Sequence, residues 1–337
     1  MTSQPGMLLR TDEERSGPKR KRDARRLIVY GTVEKDEFRS WGEAFESRFP
    51  DITIDYRREY VYGSPPPMAK RIMEETESGA ETADVVIASV PPLLQMQELN
   101  LLSSYKSPES DFYSPELVQK DGFWNSIISL PTVQIYNTDL LDKEELPTSL
   151  FDLTDPRWKD GIAVHDVNLG TFGSAWLASL KPVLGLEPWA RFVDGLSKNK
   201  PKRFALFDDL VDSVANGDVK IGLTALLHDL IKAKDAKRPL DRLRLKEVPM
   251  LTTSNAIAIV RGGKHPTSAE FLIDFLLSRE GQQIIGGTYV RIPARGDLDS
   301  MYSMAGVAPD EETIFFPTPE SWSSLNQDLE LFRKSFT

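Results

Sequence analysis

The sequence predicts an α/β fold built as two units, and three observations carry this. From Leu27 onward, short β-branched runs alternate with helix-length amphipathic segments, the order that gives parallel sheets covered by helices. At 337 residues the chain exceeds one average core and fits about two, on a prior of roughly 150 residues each. The same alternation starts afresh at Gly161, after an extended stretch in the middle of the chain.

The elements follow in order. Leu27 to Tyr30 reads as a first strand. In the helix predicted from Phe38 to Phe49, Phe38, Trp41, Phe45 and Phe49 recur at spacings of three and four, a buried stripe that Pro50 ends. Ile52 to Tyr56 is a second strand. Ser64 and Pro65 suit the cap and first position of a helix through Met68, Ile72 and Met73. Asp84 to Ala88 is a third strand, and Pro91 to Leu99 a short helix. Such a β-α-β-α-β unit leaves strand ends and helix starts on one edge, where ligands collect. Ser129 to Asn137, with Pro131 inside it, reads as an extended connection. The second unit comprises a strand from Gly161 to Asp166, helices over Gly173 to Leu184 and Pro188 to Leu196, the segment Asp208 to Ala215, a strand over Val219 to Leu223 and a helix from Leu226 to Ala233. Thr252 to Val260 is a long strand and Ser268 to Leu277 a helix, both assigned back to the first unit. The tail from Glu311 to Phe336 reads as a pair of capping helices.

Composition narrows the function classes. With 40% hydrophobic and 27% charged residues the chain is that of a globular protein. Its net charge of -10 opposes non-specific attraction to nucleic acid, so no nucleic-acid partner is expected. Without cysteine there is no disulfide, thiolate nucleophile or Cys-type zinc site. No window offers some 18 consecutive apolar residues for a spanning helix. Residues 1–26, with Lys19, Arg20, Lys21, Arg22, Arg25 and Arg26, read as a flexible basic leader that lacks the apolar stretch of a signal peptide. The phosphate loops G-x-x-x-x-G-K-[ST] and G-x-G-x-x-G, the nucleophile motif G-x-S-x-G and the zinc motif H-E-x-x-H are all absent, and three histidines supply a zinc hydrolase poorly. Catalysis is not expected and no cofactor is called for. His265 reads as a turn residue, and His165 beside Asp166 as one that orients a strand end.

Five blocks in fixed order resemble the iron-type periplasmic solute-binding proteins of ABC transporters: "LIVYGTVEKDEFRSWGEAFESRFPDITIDYRRE", "TADVVIASVPPLLQMQELNLL", "PTSLFDLTDPRWKDGIAV", "VDSVANGDVKIGLTA" and "HPTSAEFLIDFLLSREGQQII". Together they span about Leu27 to Arg295. The resemblance implies a type II periplasmic-binding-protein fold, in which two Rossmann-like lobes are joined by hinge strands with a cleft between them. It places 27–130 plus 250–290 in lobe 1, and 131–249 plus 291–337 in lobe 2 with its C-terminal capping helices. It further implies a small-molecule solute, an ABC permease with its ATPase as partners, a monomer at the membrane periphery and a periplasmic or extracytoplasmic location. Two alternatives stay open: a metal-binding, iron-type receptor that uses ligands other than the tyrosine pair, and, given the missing apolar leader, a cytoplasmic ligand sensor or transferase of the same fold. The family's adjacent ferric-binding tyrosines fall on Leu227 and His228 here, its first-loop histidine falls on Glu34, and the carboxylate near Ser89 and Val90 is absent. Since ferric iron wants hard anionic oxygens, a tyrosinate iron site is not expected.

The loops after strands should supply the ligand contacts, because helix starts offer unpaired amides and the positive end of a dipole, which favour an anionic or zwitterionic solute. In the first lobe the candidates are Gly31, Thr32 and Glu34, then Arg58, Gly63 and Ser64, then Ser89. In the second they are Asn168, Gly170 and Thr171, then Phe207 and Asp208, then Thr224 and His228. Thr32, Ser64, Ser89, Thr171 and Asp208 also suit helix caps, and Gly31, Gly63 and Gly170 also suit turns. Arg58 is a carboxylate or phosphate binder or a partner of Glu59, Phe207 a core residue or a platform. Glu34 and His228 form a weak divalent-metal pair or none. Hinge bending is expected at Pro131 to Asn137 and Glu247 to Leu251.

Overall fold

The computed structural model describes residues 26–59, 67–168, 172–248, 250–287, 291–298, 314–315 and 319–336. Its strands join in one mixed sheet. The first lobe takes β1 (Arg26–Gly31), β2 (Thr53–Arg58) and β3 (Val85–Ser89), all parallel. Helices α1 (Lys35–Arg48), α2 (Pro67–Glu77) and α3 (Val90–Glu98) link and cover them, and a short β4 (Leu102–Ser103) follows. The second lobe takes β6 (Ile162–His165), β7 (Lys202–Phe204) and β8 (Ile221–Leu226), again parallel, with α4 (Phe172–Leu184), α5 (Leu186–Lys198), α6 (Phe207–Ala215) and α7 (Leu227–Asp235).

The period-two side-chain alternation of a strand gives β1 its double coat. Leu27 and Val29 face Phe38, Trp41 and Phe45 of α1, while Ile28 and Tyr30 face Met68, Ile72, Leu93 and Met96 of α2 and α3. A parallel strand covered on both faces reads as a continuous apolar run, and "RLIVYG" does so. The second lobe repeats the scheme: Ile162, Val164, Ile221 and Leu223 meet Trp176, Trp189 and Phe192, whereas Ala163 and Ala225 meet Leu210, Val214 and Leu230.

Two long strands cross between the lobes. β5 (Asn125–Asn137) pairs antiparallel with β10 (Met250–Val260) over its first half, and with β8 and β9 (Leu240–Leu243) over its second. The change of partner falls at Pro131 and Thr132, where proline has no amide to donate. After β10, α8 (Pro266–Leu277) and α9 (Arg279–Gly287) return to the first core through Phe275 and Ile285.

Several boundaries differ from expectation. Arg26 is not leader but the first residue of β1, held by Asp55 at 2.5 Å; residues 1–25 lie outside the described residues. The segment after α9 does not pass wholly to lobe 2 but is shared: β11 (Ile292–Pro293) pairs with Ser129 and Ile128 of β5 and Ala294 enters the first core, while Ile292 joins the lobe 2 cluster of Val133, Ile135 and Leu210. Of the expected pair of tail helices the described residues hold α10 (Pro319–Ser335), preceded by β12 (Ile314–Phe315) alongside Met250 and Leu251; residues 311–313 and 316–318 lie outside the described residues. Leu325, Leu329, Phe332 and Phe336 carry the tail into the second core. Among the described residues no helix is long and apolar enough to cross a membrane.

Candidate functional site

In the first lobe the loop after β1 is fixed from below. Tyr56 of β2 stacks on Phe38 at 4.0 Å and donates its hydroxyl to the Val33 carbonyl at 2.6 Å. Burial pushes this phenol well above its ordinary range. A side chain at Gly31 would meet the Tyr56 hydroxyl at 2.7 Å, so glycine is required by close approach. Thr32 is half-buried and donates its amide to Ile87 at 3.0 Å; it does not cap α1, because the N-cap is Glu34. The Glu34 carboxylate makes no cap bond either and is paired with Arg58 across the β1 and β2 loops. Ser89 is the N-cap of α3, again without a side-chain cap bond. Gly63 and Ser64 lie outside the described residues.

In the second lobe β6 ends against α4. The Asn168 amide donates to Asp166 Oδ1 at 3.0 Å, and the buried Asn168 Oδ1 has no hydrogen-bond partner among the described residues. Gly170 and Thr171 lie outside them. Thr224 is fully buried and its hydroxyl oxygen accepts from the His165 amide at 2.7 Å, which makes it a tie between β8 and β6 rather than a cleft contact. His165 stacks on Phe207 at 4.6 Å, and burial lowers its imidazole to about 4. Phe207 therefore has a ring partner at the lobe edge, and Asp208 follows, exposed, in the first turn of α6 without being its cap.

The lobes meet through these loops. Phe207 and Leu226 of lobe 2 join the apolar cluster that holds Val33, Phe38 and Tyr56 of lobe 1. Strand β8 runs three residues past Leu223 before α7 starts, which carries Leu226 to that contact and leaves His228 at the second position of the helix. His228 is buried, and its Nε2 lies 2.5 Å from Arg291 Nη1. Arg291 also grips the fully buried Glu37 of α1, with Nε to Oε1 at 2.6 Å and Nη2 to Oε2 at 2.8 Å. A guanidinium only donates, so His228 Nε2 accepts and the ring is neutral with its hydrogen on Nδ1. Burial first, then Arg291 and Lys232, hold this imidazole well below its ordinary value. The same nitrogen lies 3.1 Å from Asp229 Oδ1; burial and then Asp208 push that carboxyl up to about 6. Glu34 and His228, the two residues of the weak divalent pair, are each engaged by an arginine, Arg58 and Arg291.

A family model described as bacterial extracellular solute-binding protein matches residues 80–325. The chain belongs to that family. A protein of Haemophilus influenzae described as uncharacterized is 27% identical over 322 residues, covering 91% of this chain and 86% of its own length. Among solved structures, iron-bound HitA from Pseudomonas aeruginosa superposes with a TM-score of 0.74 at 22% identity, covering 93% of this chain and 100% of HitA. The periplasmic binding protein AfuA from Actinobacillus pleuropneumoniae, with fructose-6-phosphate bound, gives 0.71 at 20% identity, covering 92% and 97%. These neighbours establish the type II periplasmic-binding-protein fold.

The strand ends of the two lobes bring together residues that the sequence singled out and others that it did not. Gly31, Thr32, Glu34, Arg58 and Ser89 gather at the strand ends of lobe 1, and Asn168, Phe207, Asp208 and His228 at those of lobe 2. Sequence reasoning missed Glu37, Asp229 and Arg291. Glu37 had a readable signal, since it stands four residues before Trp41 and so on the buried stripe of α1. Arg291 had none, because nothing local says that its partners stand 254 and 63 residues away.

Proposed function

We propose that this chain is the solute-binding subunit of an ABC transporter, handing a small anionic or zwitterionic solute to a membrane permease and its ATPase outside the cytoplasm. The observation that carries the reading is a convergence of open helix starts. Helices α1, α3, α6 and α7 each follow a parallel strand directly, and their N-caps Glu34, Ser89, Leu206 and Leu226 make no side-chain cap bond. Uncapped first-turn amides with the positive end of a helix dipole suit oxyanions.

Between the ligand classes seen in the neighbours, ferric iron and a sugar phosphate, we favour an organic anion such as a phosphate ester. Leu227 is buried and cannot coordinate, and His228 has its Nε2 on an arginine. Closure would bend the crossover strands β5 and β10 near Pro131 and Met250, with the solute favouring the closed pairing through its differential affinity.

A thermal-shift panel of ferric iron, divalent metals, phosphate esters, phosphonates, amino acids and polyamines tests this. A ligand at a hundred times its Kd stabilises the native state by about 2.7 kcal/mol, a readily measured rise. We expect a saturable rise with one class of organic anion and compaction by small-angle scattering with the same compound. A rise with ferric iron alone would overturn the ligand class, and no rise across the panel would overturn the receptor reading.

A further inference from the structure

We propose that Arg291 is an interlobe latch: anchored in lobe 1 on Glu37, it closes on the imidazole of His228 in lobe 2 and so sets how far the lobes stand apart without solute. Three features of the geometry lead there. First, the polar anchor lies in lobe 1, although the neighbouring Ile292 packs in a lobe 2 cluster. Arg291 immediately precedes β11, which is paired to the lobe 1 part of β5, and two of its nitrogens are spent on the fully buried Glu37 carboxylate in a fork-to-fork pair. Second, the remaining nitrogen, Nη1, reaches the other lobe at His228 Nε2, 2.5 Å away. Third, lobe 2 supplies negative charge toward the same guanidinium from Asp208 and Asp229. The bond to Glu37 lies within one lobe and survives any hinge motion, whereas the bond to His228 exists only while the lobes are juxtaposed.

The consequence is a population shift. A hydrogen bond to a charged group contributes enough to change an equilibrium about ten- to a hundredfold, so losing the Arg291 to His228 contact should favour the separated lobes by that factor. Arg291 is thus a positioning residue that acts on the lobe geometry and needs no contact with solute. The inference rests on the two-lobed fold, and it stands or falls separately from the solute class proposed above.

The chain has no cysteine, so two introduced ones can be spin-labelled without background. Glu43→Cys on α1 and Asp235→Cys at the end of α7 are exposed and report the interlobe distance by pulsed electron paramagnetic resonance on the ligand-free full chain. His228→Leu removes the acceptor and leaves the Glu37 anchor intact; we expect a longer, broader distance distribution. His228→Gln keeps a side-chain acceptor within reach of the guanidinium and should restore the short distance, a rescue that a merely packing role for the imidazole would not give. Because losing Arg291 alone would strand the buried Glu37 charge, the arginine is tested in the double variant Arg291→Met with Glu37→Gln, which should also open. Unchanged distances in both His228→Leu and the double variant would overturn the latch. So would a glutamine variant as open as the leucine one.

Discussion

The same chemical change, glycine to alanine, should have opposite signs at two helical positions. Gly42 lies inside α1, and a side chain there would meet its nearest neighbours at 3.6 and 3.9 Å, ordinary contact. Alanine at this site should stabilise the fold by about 0.5–1 kcal/mol through reduced unfolded-state freedom. Gly173 stands in the first turn of α4, where a side chain would come 2.0 Å from the His165 carbonyl oxygen and 2.7 Å from its carbon. Contacts under 3.0 Å to backbone cannot be relieved by a rotamer change, so the start of α4 must move about 1 Å away from the end of β6, at a cost of about 1–3 kcal/mol. The two variants should therefore differ by about 1.5–4 kcal/mol in urea unfolding, seen as midpoints shifted in opposite directions with unchanged slope. A Gly173→Ala protein as stable as the wild type would refute the reasoning, because propensity alone predicts a gain.

Further outcomes follow from the buried polar groups. Asp84, almost fully buried, accepts from the Ile28 amide at 2.9 Å and the His265 amide at 2.8 Å, and lies 3.1 Å from His265 Nδ1, so Asp84→Ala should cost about 3–5 kcal/mol and Asp84→Asn about half, measured as melting temperature. The imidazole of His165 is lowered to about 4 in the fold from an ordinary 6.5: above 6.5 it contributes no pH dependence, and between 6.5 and 4 stability falls as the unfolded chain takes up the proton first. That loss totals on the order of 3 kcal/mol, and His165→Gln should flatten the stability profile across this window by one proton. Titration with ferric citrate should give no visible tyrosinate charge-transfer band, since Leu227 and His228 stand where the resemblance puts the tyrosines; a saturable band would contradict the site described here.

Much of the first lobe was legible because its signals are local. The spacing of Phe38, Trp41 and Phe45 read as a buried stripe, and all three are buried. The run Leu27 to Tyr30 read as a strand and is one, coated on both faces. Misreadings arose where a local pattern had competing partners. The local pattern predicts that β8 ends at Leu223, yet pairing with β5 extends the strand to Leu226. The resemblance places the segment after α9 in lobe 2, whereas β5 recruits its backbone into the lobe 1 sheet while Ile292 packs in the lobe 2 cluster. Ser89 read as a cap; it has the position, but its hydroxyl makes no cap bond, and the pairing of Glu34 with Arg58 depends on a neighbouring loop.

The division has a physical basis. Hydrophobic periodicity and turn residues act over ten or so neighbours, so they alone determined an α/β chain; the solute-binding type and the missing tyrosine pair at the iron position are what the resemblance of the five ordered blocks implies. Which polar groups share a buried site depends on how the crossover strands β5 and β10 bring distant loops together. Glu37, His228 and Arg291 meet only after both lobes have closed their sheets. A hydrogen bond is decided over about 3 Å in space whatever the separation along the chain, so that cluster belongs to the tertiary structure alone.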